Sequence, residues 1–87
     1  MTPFEESVGR VLDDLRHGEV VTYGDVAAEA GFPSAHRAVG QFLKSHHGYP
    51  WWRVVTSTGR LVPGSEASQA TLLRSEGVKV ANGRVVT

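Results

Sequence analysis

Residues 21–45 read VTYGDVAAEAGFPSAHRAVGQFLKS, and the fold turns on how this stretch divides. Thr22, with Asp25 three positions on, is a helix-opening pair: the hydroxyl accepts from a free N–H of the first turn while the acid reaches back. Val26, Ala27 and Ala30 share one helical face, and Gly31 stops the run. Pro33-Ser34 opens the next helix, with Ser34 expected as its cap. Ala35, Val39 and Phe42 form its apolar stripe, while Arg37, Gly40, Gln41 and Lys44 stand on the other face. Two helices joined by the short Gly31-Phe32-Pro33 turn make a helix-turn-helix candidate. Generic helix pairs share the pattern, so on its own the signal is weak.

Upstream, Thr2-Pro3-Phe4-Glu5 repeats the opening signal, with proline at the first helical position. Phe4, Val8, Val11, Leu12 and Leu15 then form one stripe that ends before Gly18, and Val20-Val21-Thr22 is a short extended entry. Downstream, His46 to Pro50 is a loop. Trp51 to Val55 reads as a strand, Thr56 to Gly59 as a turn and Arg60-Leu61-Val62 as the returning strand, a hairpin that would serve as a wing. Pro63-Gly64-Ser65 leads into a last helix with Leu72 and Leu73 facing inward and Gly77 as its stop. In the tail VKVANGRVVT, Asn82-Gly83 between apolar runs is a strong hairpin signal. The expected fold class is α+β: a single winged helix-turn-helix domain over residues 1–87 with a small β-hairpin wing.

Composition narrows the function classes. The chain has 87 residues and no cysteine, which excludes a disulfide scaffold, a thiolate metal site and a cysteine nucleophile together. No apolar run approaches the roughly 20 residues of a membrane span. The opening MTPFEESVGR lacks the basic-then-apolar order of a signal peptide, so a cytoplasmic location is expected, beside the nucleoid in a bacterium. Net charge is zero, but it is unevenly spread: residues 1–29 hold two arginines against seven acids, whereas residues 30–65 hold Arg37, Lys44, Arg53 and Arg60 and no acid. That basic stretch, with His36, His46 and His47, reads either as a footprint for phosphate or as a chance fluctuation in a short chain.

GEVVTYGDVA at 18–27, HRAVG at 36–40, PWWRVV at 50–55 and LLRSEGV at 72–78, in this order and spacing, resemble the DNA-binding domain of the O6-alkylguanine-DNA alkyltransferases. Those enzymes carry Pro-Cys-His-Arg-Val at the active site. Here Pro50-Trp51-Trp52-Arg53-Val54 stands in its place, with Trp51 at the alkyl-accepting position, the mark of the alkyltransferase-like members. The chemistry agrees, because alkyl transfer from guanine O6 needs a strong soft nucleophile and an indole nitrogen is only a donor. The histidine that usually follows is Trp52 here. In the enzymes that histidine, with a glutamate matching Glu76, helps polarise the cysteine. An asparagine in the family's loop before this segment has no counterpart.

The resemblance implies a role for each site residue. Arg37 matches the finger that fills the gap left by a flipped nucleotide, from the minor groove; the plainer reading is a solvated helix arginine. Ala38 and Gly40 are small enough for the helix to approach a groove, His36 sits at a backbone-contact position, and Gln41 and Lys44 complete the exposed face. Tyr23 matches the tyrosine that crowds the target phosphate, against a core aromatic as its alternative. Trp51 would wall the lesion pocket, where an indole packs on an alkylated purine, or else be a core tryptophan. Pro50 and Val54 would frame that pocket, Pro63, Gly64 and Ser65 would form the loop over it, and Ser57 would contact phosphate from the wing. Trp52 and Arg53 read as structural, with Glu76 as Arg53's partner. His46 and His47, adjacent on a Gly-Pro loop, are poorly placed to share an ion, so neither metal nor cofactor is expected.

The resulting reading is a lesion sensor that binds double-stranded DNA carrying O6-alkylguanine, flips the nucleotide without reacting, and passes the lesion to nucleotide excision repair proteins. A winged-helix transcriptional regulator is the rival, although beyond Arg37, Gln41 and Lys44 its recognition face has few long polar side chains for base edges. A residual transferase using Tyr23 or a histidine is the third.

Overall fold

The first two helices are each closed by a reciprocal capping box. In α1 (Pro3–Asp13) the Thr2 hydroxyl accepts from the Glu5 N–H at 3.1 Å and the Glu5 carboxylate accepts from the Thr2 N–H at 2.9 Å. After β1 (Val21–Thr22), α2 (Tyr23–Glu29) repeats the device with Thr22 and Asp25 at 3.0 and 2.9 Å. Each such cap contributes about 1 kcal/mol. This computed structural model describes residues 1–86; Thr87, the end of the tail expected to form a hairpin, lies outside the described residues.

The third helix departs from expectation at its start. α3 spans His36–Ser45 and its N-cap is Ala35, with no side-chain cap, so Ser34 does not cap it. The chain first makes a turn, Ala35 N–H to Phe32 O at 2.9 Å, and the first helical bond is Val39 N–H to the Ala35 carbonyl at 3.1 Å. Pro33 favours that turn, and Ser34 is spent inside it.

A larger correction concerns residues 51–55. Trp51–Arg53 is a 3-10 turn, and strand β2 is only Val54–Val55, pairing parallel with β1 in the register Val21↔Val54 and Thr22↔Val55. Aromatic β propensity yields here to local bonding: Trp51 N–H to Tyr49 O at 2.8 Å and Arg53 N–H to Pro50 O at 3.1 Å. The two buried valines of β2 then serve two cores, as successive strand residues face opposite ways. Val54 joins Val8, Leu12, Val26, Ala27, Val39 and Phe42 from the three helices. Val55 joins Leu61, Ala70 and Leu73.

The wing turns at Ser57–Gly59, closed by Thr56 N–H to Arg60 O at 3.2 Å, but its returning arm is not paired along the outgoing one. It pairs instead with the C-terminal hairpin, through an antiparallel Arg60↔Arg84 bridge, Leu61 N–H to Gly83 O at 3.0 Å and Val85 N–H to Gly59 O at 2.9 Å. That hairpin, β3 (Val80–Ala81) and β4 (Arg84–Val85), turns at Asn82-Gly83 with positive φ of 54° and 72°, as the dipeptide requires. Before it, α4 (Glu66–Ser75) buries Gln69, Ala70 and Leu73; Leu72, expected inward, lies round the helix from that face and is exposed. The fold is thus an α+β winged helix-turn-helix. Among the described residues no helix is long and apolar enough to cross a membrane.

Candidate nucleic-acid interface

One cleft of about 600 Å³ brings α3, the start of α2, the 3-10 turn and the wing together. It gathers nine residues assigned to the site from sequence: Tyr23, His36, Arg37, Gly40, Gln41, Lys44, Trp51, Pro63 and Ser65. Leu43, His47, Thr56 and Val62 complete the lining, which among the described residues holds no carboxylate. Acids gather elsewhere, around a cleft of about 810 Å³ between α1 and α2 that Asp14, Glu19, Asp25 and Glu29 share with Arg10. The uneven charge of the sequence is therefore a sorting of charge by cleft.

The end of α3 that reaches this cleft is electrostatically unusual. α1, α2 and α4 each carry an acid in the first turn, where the helix dipole favours one, whereas α3 has no acid there and begins with His36 and Arg37. Both are exposed, and neither makes a side-chain hydrogen bond or ion pair among the described residues. An uncapped, doubly basic helix start is a poor arrangement in water and a good one against an anion. Tyr23, the first residue of α2, is half-buried, and desolvation pushes its phenol pKa up, keeping it neutral. A methyl at Gly40 would sit 3.9 Å from the Tyr23 ring, ordinary contact, so packing alone does not demand glycine there.

Trp51 divides two spaces. It lines the basic cleft and also a neighbouring recess of about 510 Å³ that includes Pro50, His46 and Tyr49. Trp52 stands edge-on to it, centroids 6.4 Å apart at 89°, and packs on the second core. Behind them is a buried polar bracket. Glu76 accepts four hydrogen bonds: from Gly18 N–H at 2.8 Å, Trp52 Nε1 at 2.8 Å, Arg53 Nε at 3.0 Å and Arg53 Nη2 at 2.7 Å. Arg53 Nη1 donates to the Leu15 carbonyl at 3.1 Å, and the guanidinium lies 5.2 Å from the Trp52 ring centroid. The hydrogen bonds from Arg53 hold the Glu76 carboxyl down at about 2, helped by those from Gly18 and Trp52, while burial opposes them. The bracket ties the exit of α1 and the end of α4 to the turn that carries Trp51.

The remaining expected site residues lie outside the cleft. Ala38 is exposed on α3, Ser57 at the wing tip and Gly64 beside Ser65. Pro50 borders the recess on the far side of Trp51. Val54 is fully buried in the helical core and cannot frame a pocket; the 3-10 turn, replacing an alternating strand, carries it inward. His46 and His47 diverge: His46 stacks on Phe42 at 4.1 Å and its Nε2 lies 3.4 Å from Glu5, while His47 lines the cleft. Sequence reasoning missed Gln69. It is fully buried, donating to the Trp52 and Val54 carbonyls at 3.1 Å each and accepting from Val62 N–H at 2.7 Å. Its place one turn before Leu73 was the available signal.

A winged helix-turn-helix with a basic, tryptophan-walled cleft at its recognition helix is built for a polyanion carrying planar groups. The family profile described as 6-O-methylguanine DNA methyltransferase, DNA binding domain, matches residues 3–78, and the chain belongs to that family. It is 34% identical to Alkyltransferase-like protein 1 of Schizosaccharomyces pombe, over 92% of this chain and 81% of that protein. It is 33% identical to the DNA base-flipping protein of Vibrio parahaemolyticus, over 93% of this chain and 86% of that one. The crystal structure of S. pombe Atl1 in complex with damaged DNA containing O6-carboxymethylguanine superposes with a TM-score of 0.85 at 34% identity, covering 93% of this chain and 82% of the other.

Proposed function

We propose that this protein is a non-enzymatic DNA-damage sensor. It binds duplex DNA carrying O6-alkylguanine, rotates the modified nucleotide into the cleft beside Trp51, and holds it without taking the alkyl group. The observation that supports this reading best is that Trp51 lines the cleft; the Pro50–Val54 motif resembles the family's with this residue at the acceptor position, where an indole offers no nucleophile. Kinship with an alkyltransferase-like protein and a DNA base-flipping protein, and the likeness to a structure with damaged DNA bound, support it. Extruding a base costs a few kcal/mol, least where pairing is already impaired. Stacking on Trp51 recovers about 1–3 kcal/mol. Arg37, filling the vacated position, and Tyr23, pressing on the phosphate, offset the rest. Ala38, Gly40, Gln41, Lys44, His36 and Ser57 position the duplex, and Ser65 closes over the base. A complex that cannot react must hand its lesion on, and nucleotide excision repair is the pathway suited to receive it.

The test is one titration on two duplexes of identical sequence, with guanine or O6-methylguanine at one position, followed by intact-protein mass. Preference for the modified duplex by at least about tenfold, about 1.4 kcal/mol, with unchanged mass is the expected result. Equal affinity would favour a sequence-reading regulator, and a methyl-sized mass gain would make the protein an enzyme.

Restoring the thiol alone will not restore transfer. In Trp51→Cys the sulfur would have the ordinary cysteine pKa of about 8.5, and Glu76, already committed to four donors, has no free acceptor with which to polarise a neighbour. Trp51→Cys with Trp52→His places a base beside the sulfur, and the new imidazole N–H can take over the indole's bond to Glu76. Intact mass after incubation with O6-methylguanine duplex should show methylation of the double variant only. Prompt methylation of Trp51→Cys would refute the idea that Trp52 marks a second loss of catalytic machinery.

A further inference from the structure

The C-terminal hairpin lies beyond the family-matched segment, residues 3–78. Its pairing with the wing has an odd consequence: Arg60 and Arg84, far apart in sequence, stand directly opposite each other across an antiparallel bridge. Opposite residues put their side chains on the same face of a sheet, and like charges so placed destabilise it. Nothing among the described residues relieves the conflict: both arginines are exposed, and neither guanidinium makes a hydrogen bond or ion pair there. The register also fixes which face this is. Val80 and Val85 pair with each other and pack on the second core with Leu61, which leaves Ala81, Arg84 and Arg60 on the outer face. Val62, two residues beyond Arg60 on the returning arm, lines the basic cleft. Ala81, opposite Arg84, is too small to obstruct an approach.

We propose that the β3–β4 hairpin is an extension of the wing, and that Arg60 and Arg84 together clamp the phosphate backbone of the duplex whose base occupies the cleft. The proposal rests on the reading of this protein as a DNA binder. It adds Arg84, which lies outside the basic stretch of residues 30–65, to Arg60, which lies within it. Duplex phosphates are spaced so that two adjacent cations meet successive anions, and each neutralised phosphate makes the plot of log affinity against log salt steeper by about 0.9.

The experiment measures that slope, on modified and unmodified duplex of several helical turns, for Arg60→Gln, Arg84→Gln, the double variant and Arg84→Lys. Arg10→Gln, which removes the same charge from the acidic cleft, is the control, and circular dichroism verifies folding. Each glutamine variant should flatten the slope by about 0.9 and the double variant by about 1.8, while Arg84→Lys keeps it. Preference for the modified duplex should be unchanged, since phosphate contacts carry no base information. A folded Arg84→Gln with the parental slope overturns the clamp, as does an equal flattening by Arg10→Gln, which would reduce the effect to net charge. Absence of lesion preference in the parent protein would defeat the sensor reading instead, and the slopes on unmodified duplex would still decide the clamp.

Discussion

Glu76→Gln will lower the melting temperature by roughly 12–40 °C, a very large effect for one isosteric change. Glu76 and Arg53 have only 6% and 13% of their side-chain surface exposed, and both carboxylate oxygens are fully used, each accepting two hydrogen bonds. An amide accepts at one end only. Whichever way the glutamine turns, its NH2 group confronts two donors, and the arginine loses the carboxylate paired with it. Breaking a buried pair in this way costs about 3–5 kcal/mol. At roughly 4–8 °C per kcal/mol for a domain of this size, that gives the stated range. Thermal melts monitored by circular dichroism check it, and a variant melting within a few degrees of the parent would mean that the bracket is dispensable.

The same bracket sets an acid limit. The Glu76 carboxyl is held at about 2 when folded, below its ordinary 4.5, so the unfolded chain takes up a proton first as pH falls. The stability it contributes is complete above about pH 5 and is lost as pH drops toward 2. Melts across that window should be less pH-dependent in Glu76→Gln than in the parent.

Local chemistry written in adjacent residues was legible in the sequence. The Thr2/Glu5 and Thr22/Asp25 boxes, the Asn82-Gly83 turn and the exposed face of α3 depend on contacts within a few positions, and the Arg53–Glu76 pair followed from the family pattern. Tertiary overrides were not legible. Trp51–Arg53 has the composition of a strand, but the Arg53 fork, anchored to α4 and to the end of α1, goes with a tight turn in that segment. That turn buried Val54 and set Trp51 at the cleft. Gln69 reads as a surface helix residue until its three partners are seen, two of them the Trp52 and Val54 carbonyls of a segment that is a strand only at Val54–Val55. The pairing of Arg60 with Arg84 joins two hairpins whose docking no local motif encodes.

Arg37→Ala will reduce affinity for O6-methylguanine duplex by roughly 10–100-fold and leave the fold intact, as loss of a charged contact worth about 1.5–3 kcal/mol requires. Stability should hold because Arg37 is exposed in the first turn of α3, bonds to nothing among the described residues, and sits at the helix end where a cation is unfavourable. Alanine is also the better helix former there. Affinity should fall because the same features leave the guanidinium free to enter the duplex, on a helix whose neighbouring positions 38 and 40 carry small residues. The comparison between duplexes carries the diagnosis. A finger that fills the place of an extruded nucleotide acts only once the base has left the stack, so the loss should be several-fold greater on the modified duplex, and discrimination should shrink with affinity. A surface phosphate contact would weaken both duplexes alike. Arg37→Lys should fall between, since it keeps the charge but loses the planar fork that stacks on bases and bonds through two nitrogens. Equal losses on the two duplexes, in a variant with the parental melting curve, would reduce Arg37 to a phosphate contact and leave the flipped state to be held by Trp51 and Tyr23.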